Sequence, residues 1–521
     1  MFRTRQCTLP GAGAWRLPPP LRRIVLAFLM LVPLQLAQSL PSQAETLRAR
    51  LLGDISNLDP AYLTTVHDQY VATNVYNQLV KFVPEGSEIV PDLAESWETS
   101  EDGLTWTFKL RQGVQWHHGY GELTSSDVKF SLERIMDPAN NSPNRSYLSA
   151  VESVEAPDPY TVVIKLKQPS AGLLGNLAYR AGWVVSEKAV SERGEDFALN
   201  PVGSGPFEFT SWQPGAEVVL TAFDAYFGGR AKIDEVVFIP IADEKVAVLA
   251  LEAGNLDLAY IRDGEALEQL RSNPDLEVRS KPATRTLSLI MNSTRPPFDN
   301  TAVRKAVAHA IDKNQLVAAM GGLGVVAEAA IPPMYLGYTE DVVTYPYDPE
   351  KSKQLPQEAG VTTPIEIDFL YTQLSPWPQL VPVIKAFLDN VGFKVNLVGM
   401  EHGAWTAERA KGEYVMTVSP LTRPPDAEFV LNYAYHSSQV PPGFNMSYYS
   451  GSDALIEQAS KEVDVAKRVE LYKQILRQIS EAATSLPLIY PTSDVAHYKY
   501  VKGHPIAINN DFHAYPITIE K

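Results

Sequence analysis

One stretch of the sequence, Ile89–Pro138, decides the fold: IVPDLAESWETSEDGLTWTFKLRQGVQWHHGYGELTSSDVKFSLERIMDP. Glu101–Gly103 has the composition of a tight turn, because its glycine can take the positive φ that such turns often need. Apolar and polar residues then alternate over Thr105–Leu110, which predicts a half-buried strand of a hairpin. Thr124–Asp127 has the spacing of a capping box, so a helix should begin there. The apolar residues that follow at helical spacing are Val128, Leu132 and Ile135.

The same stretch closely resembles the signature of family 5 solute-binding proteins, the periplasmic peptide, dipeptide and nickel binders of ABC transporters. The matching segments are PDLAESW at 91–97, DGLTWTF at 102–108, LRQGV at 110–114 and DVKFSLER at 127–134. Further similar segments, PVGSGPF at 201–207 and NSTRPPFDNTAVRKAVAHAIDK at 292–313 among them, extend the resemblance over residues 46–521.

The resemblance implies an α/β fold with two lobes and a hinge, a type II periplasmic binding protein of cluster C with mixed sheets. Lobe I is expected to comprise residues 45–88, 201–284 and 491–521, and lobe II residues 285–490. Residues 89–200 are expected to form an extra small subdomain of lobe I. A chain of 521 residues is long enough for several domains.

Local patterns predict the elements around this framework. Leu47, Ala49 and Leu51 indicate a strand, and a helix is predicted from Asp68 to Val80. The chain should cross between lobes near Lys281–Thr286. The order strand, helix and strand over Ile365–Leu397 predicts a β-α-β unit, although Pro356, Pro378 and Pro382 leave the local geometry there open. Two helices are predicted after Asp453, and the strand Leu486–Tyr490 should return the chain to lobe I.

The N-terminus has the pattern of a signal peptide. Five arginines precede the apolar run Ile24–Leu36, which is short for a membrane span, and Ser42–Ala44 places small residues before Glu45. Cleavage between Ala44 and Glu45 and export to the periplasm are therefore expected, with a membrane anchor as the alternative. Removing residues 1–44 takes away five arginines, no acidic residue and the one cysteine, which changes the net charge from −16 to −21.

Composition and motifs narrow the function classes. The acidic charge argues against nucleic acid, which attracts basic surfaces. The sequence has no HExxH, P-loop or GxSxG pattern, so neither an enzyme nor a cofactor is expected. Adjacent His117 and His118, if they lie in a strand, point to opposite faces and are not expected to bind a metal together. Gly203–Gly205 is expected to shape a backbone turn, as in the family.

The informative departure from the family lies between Val415 and Asn432. Peptide-binding relatives carry an aspartate there that pairs with the free amine of the peptide, whereas this chain has Arg423 at or next to that position. A guanidinium binds carboxylate or phosphate with a bidentate fork and repels an ammonium. The alternative is a structural ion pair of Arg423 with Asp426 or Glu428.

Other ligand contacts are implied by the resemblance. Trp405, Asn445 and Tyr490 lie where family members place cleft residues, and His67 belongs to a segment that lines the cleft in relatives. Asn292, which follows a predicted strand, is a further candidate.

The leading hypothesis is a monomeric solute-binding component of an ABC importer that closes on its solute and delivers it to the permease subunits. The solute is expected to be a peptide or a peptide-like molecule, including an anionic one. An opine-like conjugate, an oligosaccharide or a metal chelate is the alternative within the same fold. A secreted enzyme with an unrecognised site and a chemoreceptor or regulatory adaptor are alternatives of other classes.

Overall fold

The computed structural model describes residues 44–508 and 511–521, and Glu45–Lys521 forms one unit of internal contacts. The predicted signal peptide lies outside the described residues except for Ala44, so its cleavage stays a prediction. Within the described residues, no helix has both the length and the apolar character needed to cross a membrane.

The chain up to Pro282 contains most elements of the predicted lobe I and of the predicted subdomain. The strands are β1 (Thr46–Leu51), β2 (Val80–Phe82), β3 (Ile89–Pro91), β4 (Ala94–Thr99), β5 (Thr105–Leu110), β6 (Val151–Asp158), β7 (Thr161–Leu166), β8 (Phe207–Gln213), β9 (Glu217–Ala222), β10 (Glu235–Pro240), β11 (Leu258–Tyr260) and β12 (Leu276–Pro282). The helices are α1 (Val66–Val75), α2 (Ser125–Met136), α3 (Leu173–Leu177), α4 (Glu187–Arg193), α5 (Glu244–Glu252) and α6 (Gly264–Arg271).

The remaining chain supplies the other half of the large sheet and the C-terminal elements. The strands are β13 (Arg285–Met291), β14 (Gly324–Val326), β15 (Ile365–Thr372), β16 (Phe393–Met400), β17 (Met416–Thr422), β18 (Ser485–Tyr498), β19 (Val501–Lys502) and β20 (Thr518–Ile519). The helices are α7 (Thr301–Ala310), α8 (Lys313–Ala319), α9 (Pro349–Glu358), α10 (Trp377–Asp389), α11 (His402–Lys411), α12 (Ala427–Tyr435), α13 (Asp453–Lys461) and α14 (Val465–Ala482). Short 3-10 helices lie at His117–Gly119, Pro138–Asn140, Arg145–Leu148, Gly194–Ala198 and Ser437–Gln439.

A single long strand, β18, belongs to both halves of the large sheet. Its residues from Ser485 to Pro491 pair with β13 and β14, whereas those from Thr492 to Tyr498 pair with β11 and β12. The sheet order is β16-β15-β17-β13-β18-β11-β1-β10-β9-β8. The chain therefore passes between the halves at Pro282–Arg285, as the sequence predicts, and again along β18.

The buried apolar side chains form separate clusters on the two sides of these crossings. One cluster joins α1, β1, β8–β10 and the subdomain, and a smaller one lies under α5 and α6. Two further clusters contain only residues of the predicted lobe II. The mixed α/β class is confirmed, and the cores agree with the predicted lobes, whose limits stay a prediction.

The deciding stretch folds as its sequence predicts. β4 and β5 form an antiparallel hairpin, and Gly103 in its turn has a φ of 69°. With β7 and β6 they make a separate four-stranded sheet. A capping box begins α2, in which the backbone N–H of Thr124 donates to the carboxylate of Asp127 at 3.0 Å.

The predicted helix from Asp68 to Val80 is shorter than expected. It begins at Val66, after the cap Thr65, and ends at Val75, because the N–H of Gly205 donates to the Val75 carbonyl at 2.8 Å. A Cβ on Gly203 or Gly205 would overlap the backbone at this end of α1. These glycines therefore permit a close backbone approach, which is a different role from the expected turn.

The histidine pair does not lie in a strand. His117 and His118 belong to a 3-10 turn in which His118 has a φ of 55°. The His117 ring is buried, with Nε2 2.9 Å from the Gly205 carbonyl, and burial lowers its pKa to about 3. The described residues contain no group of three or more His, Cys, Asp and Glu side chains placed to hold a metal ion.

The β-α-β prediction is confirmed, since β15 and β16 are parallel and α10 connects them. The helix starts at Trp377 and contains Pro382. Likewise, Pro356 lies within α9.

Candidate functional site

The carboxyl ends of the parallel strands in both halves meet at the crossings. β1, β10 and β11 run parallel. Tyr260, at the carboxyl end of β11, pairs with Val495, which lies near the point where β18 passes to the predicted lobe II. β15, β16 and β17 are also parallel, and Thr422 at the end of β17 pairs with Arg285 at the crossing. Ligands of open α/β sheets bind outside the carboxyl ends of strands. The candidate site is therefore the cleft that contains both sets of strand ends.

Backbone hydrogen bonds fix the crossings. The Ala283 N–H donates to the Pro491 carbonyl at 2.8 Å, and the Thr284 N–H donates to the Ile508 carbonyl at 3.1 Å. The Thr284 hydroxyl reaches the same carbonyl at 2.8 Å. The crossings are thus short segments that are fixed by hydrogen bonds.

Arg423 lies in the connection between β17 and α12, at the carboxyl end of β17. Its guanidinium carbon lies 3.5 Å from the ring centroid of Tyr433, a cation–π contact that holds the side chain. Its carbonyl accepts a hydrogen bond from the Tyr335 hydroxyl at 2.6 Å. Both the backbone and the side chain are therefore positioned.

The alternative for Arg423, a structural ion pair with Asp426 or Glu428, is wrong. Asp426 caps α12 through the Glu428 N–H at 2.9 Å and lies 3.8 Å from Arg468. Within the described ranges, which include every Asp and Glu of the chain, no carboxylate lies within 4.0 Å of the Arg423 guanidinium.

The charge of Arg423 acts on Tyr179, a residue of the predicted subdomain. Burial raises the pKa of the Tyr179 phenol, whereas the charges of Arg180 and Arg423 lower it and that of Asp511 raises it. Tyr179 packs edge to face on Tyr147 at a centroid distance of 5.8 Å. A subdomain tyrosine therefore stands between arginines from both sides of the cleft.

Near Tyr179, the predicted lobe I and subdomain supply a chain of hydrogen-bonded polar side chains. The Gln69 side chain donates to the Asp511 carboxylate at 2.7 Å, and the Arg180 guanidinium donates to the Gln69 side-chain oxygen at 3.3 Å. A cavity of about 220 Å³ lies beside them and is lined by residues that include Thr73, Asp511 and His513. Sequence reasoning missed all of these residues, and only their positions beside strand and helix ends could have indicated them.

Two predicted ligand contacts are buried amides that hold the backbone together. Asn292 is fully buried, and its Nδ2 donates to the carbonyls of Gly412 and Tyr414. Asn445 is also fully buried and donates to the carbonyls of His436 and Tyr449. The structure places neither side chain on the cleft surface.

Trp405 and Tyr490 are core residues as well. Trp405 is 3% exposed and donates from its indole N–H to the Thr417 hydroxyl at 3.2 Å. The Tyr490 side chain is 2% exposed, and its hydroxyl lies 2.7 Å from the Ala329 carbonyl and 3.1 Å from the Ala329 N–H. Their predicted ligand contacts are corrected to structural roles, because both polar groups are already satisfied inside the protein.

His67 is half-buried in the first turn of α1, where a Cβ on Gly53 would lie 3.3 Å from its ring. It lies two positions before Gln69, so it points to the opposite side of the helix from the Gln69–Asp511 hydrogen bond. The structure does not bring His67 together with Arg423 or Arg180, and its role as a ligand contact stays a prediction.

Comparisons with known proteins agree with this geometry. The model of bacterial extracellular solute-binding proteins, family 5 Middle, matches residues 88–442. The chain is 30% identical to di/tripeptide-binding protein 2 of Pseudomonas aeruginosa over 91% of this chain and 95% of that protein. The structure of HbpA2 from Haemophilus parasuis is similar, with a TM-score of 0.86 at 27% identity over 91% of this chain and all of the other.

A second similar structure is that of the binding protein MoaA from A. tumefaciens R10 in complex with mannopinic acid. It has 32% identity and a TM-score of 0.74, over 92% of this chain and all of that one. Because the family model covers more than half of the sequence, this chain belongs to the bacterial extracellular solute-binding proteins of family 5.

Proposed function

We propose that this protein captures a peptide or a peptide-like solute with an anionic group in the cleft at the strand crossings. The observation that carries this proposal is Arg423, held at the carboxyl end of β17 over Tyr433 with no carboxylate partner among the described residues. A positioned guanidinium in a cleft offers a bidentate site for a carboxylate or a phosphate.

Capture requires that the lobes close around the solute. Two short crossings, fixed by the hydrogen bonds of Ala283 and Thr284, allow a rotation with few changes in backbone angles. The closed shape would then be recognised by the permease subunits of an ABC importer. The proposed location is the periplasm, with the protein acting as a monomer without turnover of its solute.

A second candidate is a non-peptide solute of the opine type. It is favoured by the similarity to a protein solved with mannopinic acid and by an arginine at or next to the position where the family's peptide binders have an aspartate. An arginine there disfavours a ligand whose ammonium group must occupy the same place.

The decisive experiment is native mass spectrometry of the protein as purified from the periplasm, which gives the mass of any retained solute. Each candidate solute is then added in a thermal-shift assay. A solute at 100 times its Kd should stabilise the protein by about 2.7 kcal/mol. Small-angle scattering should show a more compact protein with the solute, and identical profiles at saturation would contradict closure.

Processing and catalysis have separate tests. N-terminal sequencing of the exported protein should begin at Glu45, and an intact N-terminus would favour the anchor. Recovery of the solute chemically unchanged after long incubation is expected, whereas a product would favour a secreted enzyme.

A further inference from the structure

Arg285, the first residue of β13, is a second arginine at the crossing. Its backbone N–H donates to the Ala283 carbonyl at 2.8 Å, and it pairs in register with Thr422. Its Nε atom is buried without a hydrogen-bond partner. None of the chain's carboxylates, all of which the structure describes, lies within 4.0 Å of its guanidinium.

A guanidinium whose Nε is buried without an anion is costly, because this part of the charged group has lost water without gaining a partner. Arg50 shows how this fold normally satisfies such a group, since its guanidinium binds Glu244 at 2.9 Å together with backbone carbonyls. Burial, together with a smaller effect of the positive charge of Arg262, lowers the pKa of Arg285 to about 10. The surroundings of Arg285 therefore lack a negative charge.

Arg262 comes from the other side of the crossing. It follows β11, which pairs with one edge of β18, whereas β13 pairs with the other edge. Its backbone N–H donates to Glu244 at 3.2 Å, but that carboxylate is bound to the Arg50 guanidinium. In the part of the chain that the structure describes, the Arg262 guanidinium has no carboxylate within 4.0 Å.

This pair is separate from Arg423. Along β13, Arg285 shares its face with Leu287 and Leu289, which belong to the core under α7 and α10. Ser288 points to the opposite face, towards α12, which carries Tyr433, the partner of Arg423. The side chain of Arg285 therefore leaves the sheet on one face, whereas the contact of Arg423 with Tyr433 lies on the opposite face.

We propose that Arg262 and Arg285 form an anion site at the hinge that takes one carboxylate or phosphate-type oxyanion. Before the anion binds, like charges from the two lobes repel each other across the crossing. An oxyanion between them replaces this repulsion with two charge-assisted contacts and so favours the closed arrangement. The site itself does not depend on the proposed solute, whereas its effect on closure rests on the proposed function.

The test measures the melting temperature in sodium phosphate against sodium chloride at equal ionic strength. Phosphate should raise the melting temperature of the wild type, and Arg285→Gln and Arg262→Gln should each weaken the apparent phosphate affinity at least tenfold. Arg477→Gln is the matched control, because it removes a positive charge from an exposed surface ion pair with Asp341. If Arg285→Gln does not fold, two variants still test the site. Arg262→Gln changes an exposed position, and Arg285→Lys keeps the positive charge.

The source of the anion is identified in a second arm. If phosphate does not stabilise the wild type, but Arg285→Gln weakens the solute recovered by mass spectrometry at least tenfold, the site holds an anionic group of that solute. Equal phosphate responses in the wild type and both variants would overturn the proposal. The proposal would also be overturned if phosphate did not stabilise the wild type and neither variant changed the affinity for the solute. The phosphate readout needs neither solute nor permease, so failure of the proposed function leaves this test intact.

Discussion

The hydroxyl of Tyr335 lies 2.6 Å from the carbonyl oxygen of Arg423. The same hydroxyl lies 3.1 Å from the Thr284 carbonyl at the first crossing, and Tyr335 is buried. One phenol therefore connects the segment that carries the candidate ligand-binding arginine to the first crossing. If the crossing moves when the solute binds, we expect the position of Arg423 to be coupled to that movement through this group.

Tyr335→Phe should weaken both the fold and solute binding. The substitution leaves the Arg423 and Thr284 carbonyls without this donor, which costs about 1–3 kcal/mol when the carbonyls are buried. Urea unfolding measures the stability and calorimetry with the identified solute measures the affinity. Tyr160→Phe is the control, because its exposed hydroxyl donates to Glu122 far from the cleft. Unchanged affinity in Tyr335→Phe would show that the coupling has no effect on binding.

Arg423→Ala should weaken the binding of an anionic solute much more than it destabilises the empty protein. Loss of one partner of a buried charge pair costs about 2–5 kcal/mol in binding. The empty protein loses only the cation–π contact with Tyr433, about 0.5–2 kcal/mol. Arg423→Lys should restore part of the affinity, since it keeps the charge without the planar fork.

The control for Arg423→Ala is Arg477→Ala, which removes the same charge from an exposed position. Normal solute affinity in Arg423→Ala would contradict the proposed anion contact. The solute would then have to be oriented by other cleft residues.

The fold could be predicted because its signals are local. The turn at Gly103, the capping box of α2 and the alternation along β5 depend on neighbours in the sequence, and each is present. The end of α1 could not be predicted, because it depends on Gly205, 130 residues further along the chain. Local periodicity carries no information about such a contact.

The candidate site was less predictable for the same reason. Arg423 differs in charge from the residue expected in the family, and this difference indicated it. Asn292 and Asn445 were wrong as contacts because amides satisfy backbone groups as readily as ligands, and sequence does not show which. Arg285 and Asp511 carried no pattern at all, since their importance comes from strands and segments that meet in space.

Asn445→Ala should destabilise the fold while leaving the affinity of the folded protein unchanged. The substitution leaves the carbonyls of His436 and Tyr449 without their buried donor, at a cost of about 1–3 kcal/mol in the free energy of unfolding. Thermal unfolding and titration with the solute at a temperature well below melting separate the two effects. A tenfold loss of affinity in the folded variant would show that Asn445 contacts the solute. Ser438→Ala, at a polar and exposed position nearby, is the control and should change neither quantity.

The stability of the protein should depend on the protonation of Glu428, which lies at a contact between the predicted lobe II and the predicted subdomain. Glu428 is 9% exposed, and a Cβ on Gly172 would lie 3.5 Å from its side chain. Burial is the main cause that raises its pKa to about 7; the charge of Asp426 acts in the same direction, and the hydrogen bond to Ser460 and the charge of Arg468 oppose the shift. In the folded state the carboxyl group therefore keeps its proton to a higher pH than in the unfolded state.

The sign of the effect follows from this difference. Between about pH 4.5, the ordinary value, and about pH 7, the folded state binds more protons at this position, so the free energy of unfolding falls as the pH rises. The contribution is at most about 3.5 kcal/mol, since one pKa unit corresponds to about 1.4 kcal/mol. The substitution Glu428→Gln removes this pH-dependent contribution to the free energy of unfolding.

Urea unfolding from pH 4.5 to pH 8 should therefore give similar stabilities for Glu428→Gln and wild type at the acidic end and a more stable variant at pH 8. Asp426 also has a raised pKa and contributes a slope of the same sign, so the two proteins must be compared with each other at every pH. Glu98→Gln, at an exposed position of β4, is the matched control and should follow the wild-type curve. A Glu428→Gln protein that is less stable than wild type at pH 8 would mean that the carboxylate is charged in the folded state and held by Arg468. The contact between lobe II and the subdomain would then depend on an ion pair, and raising the pH would not weaken it.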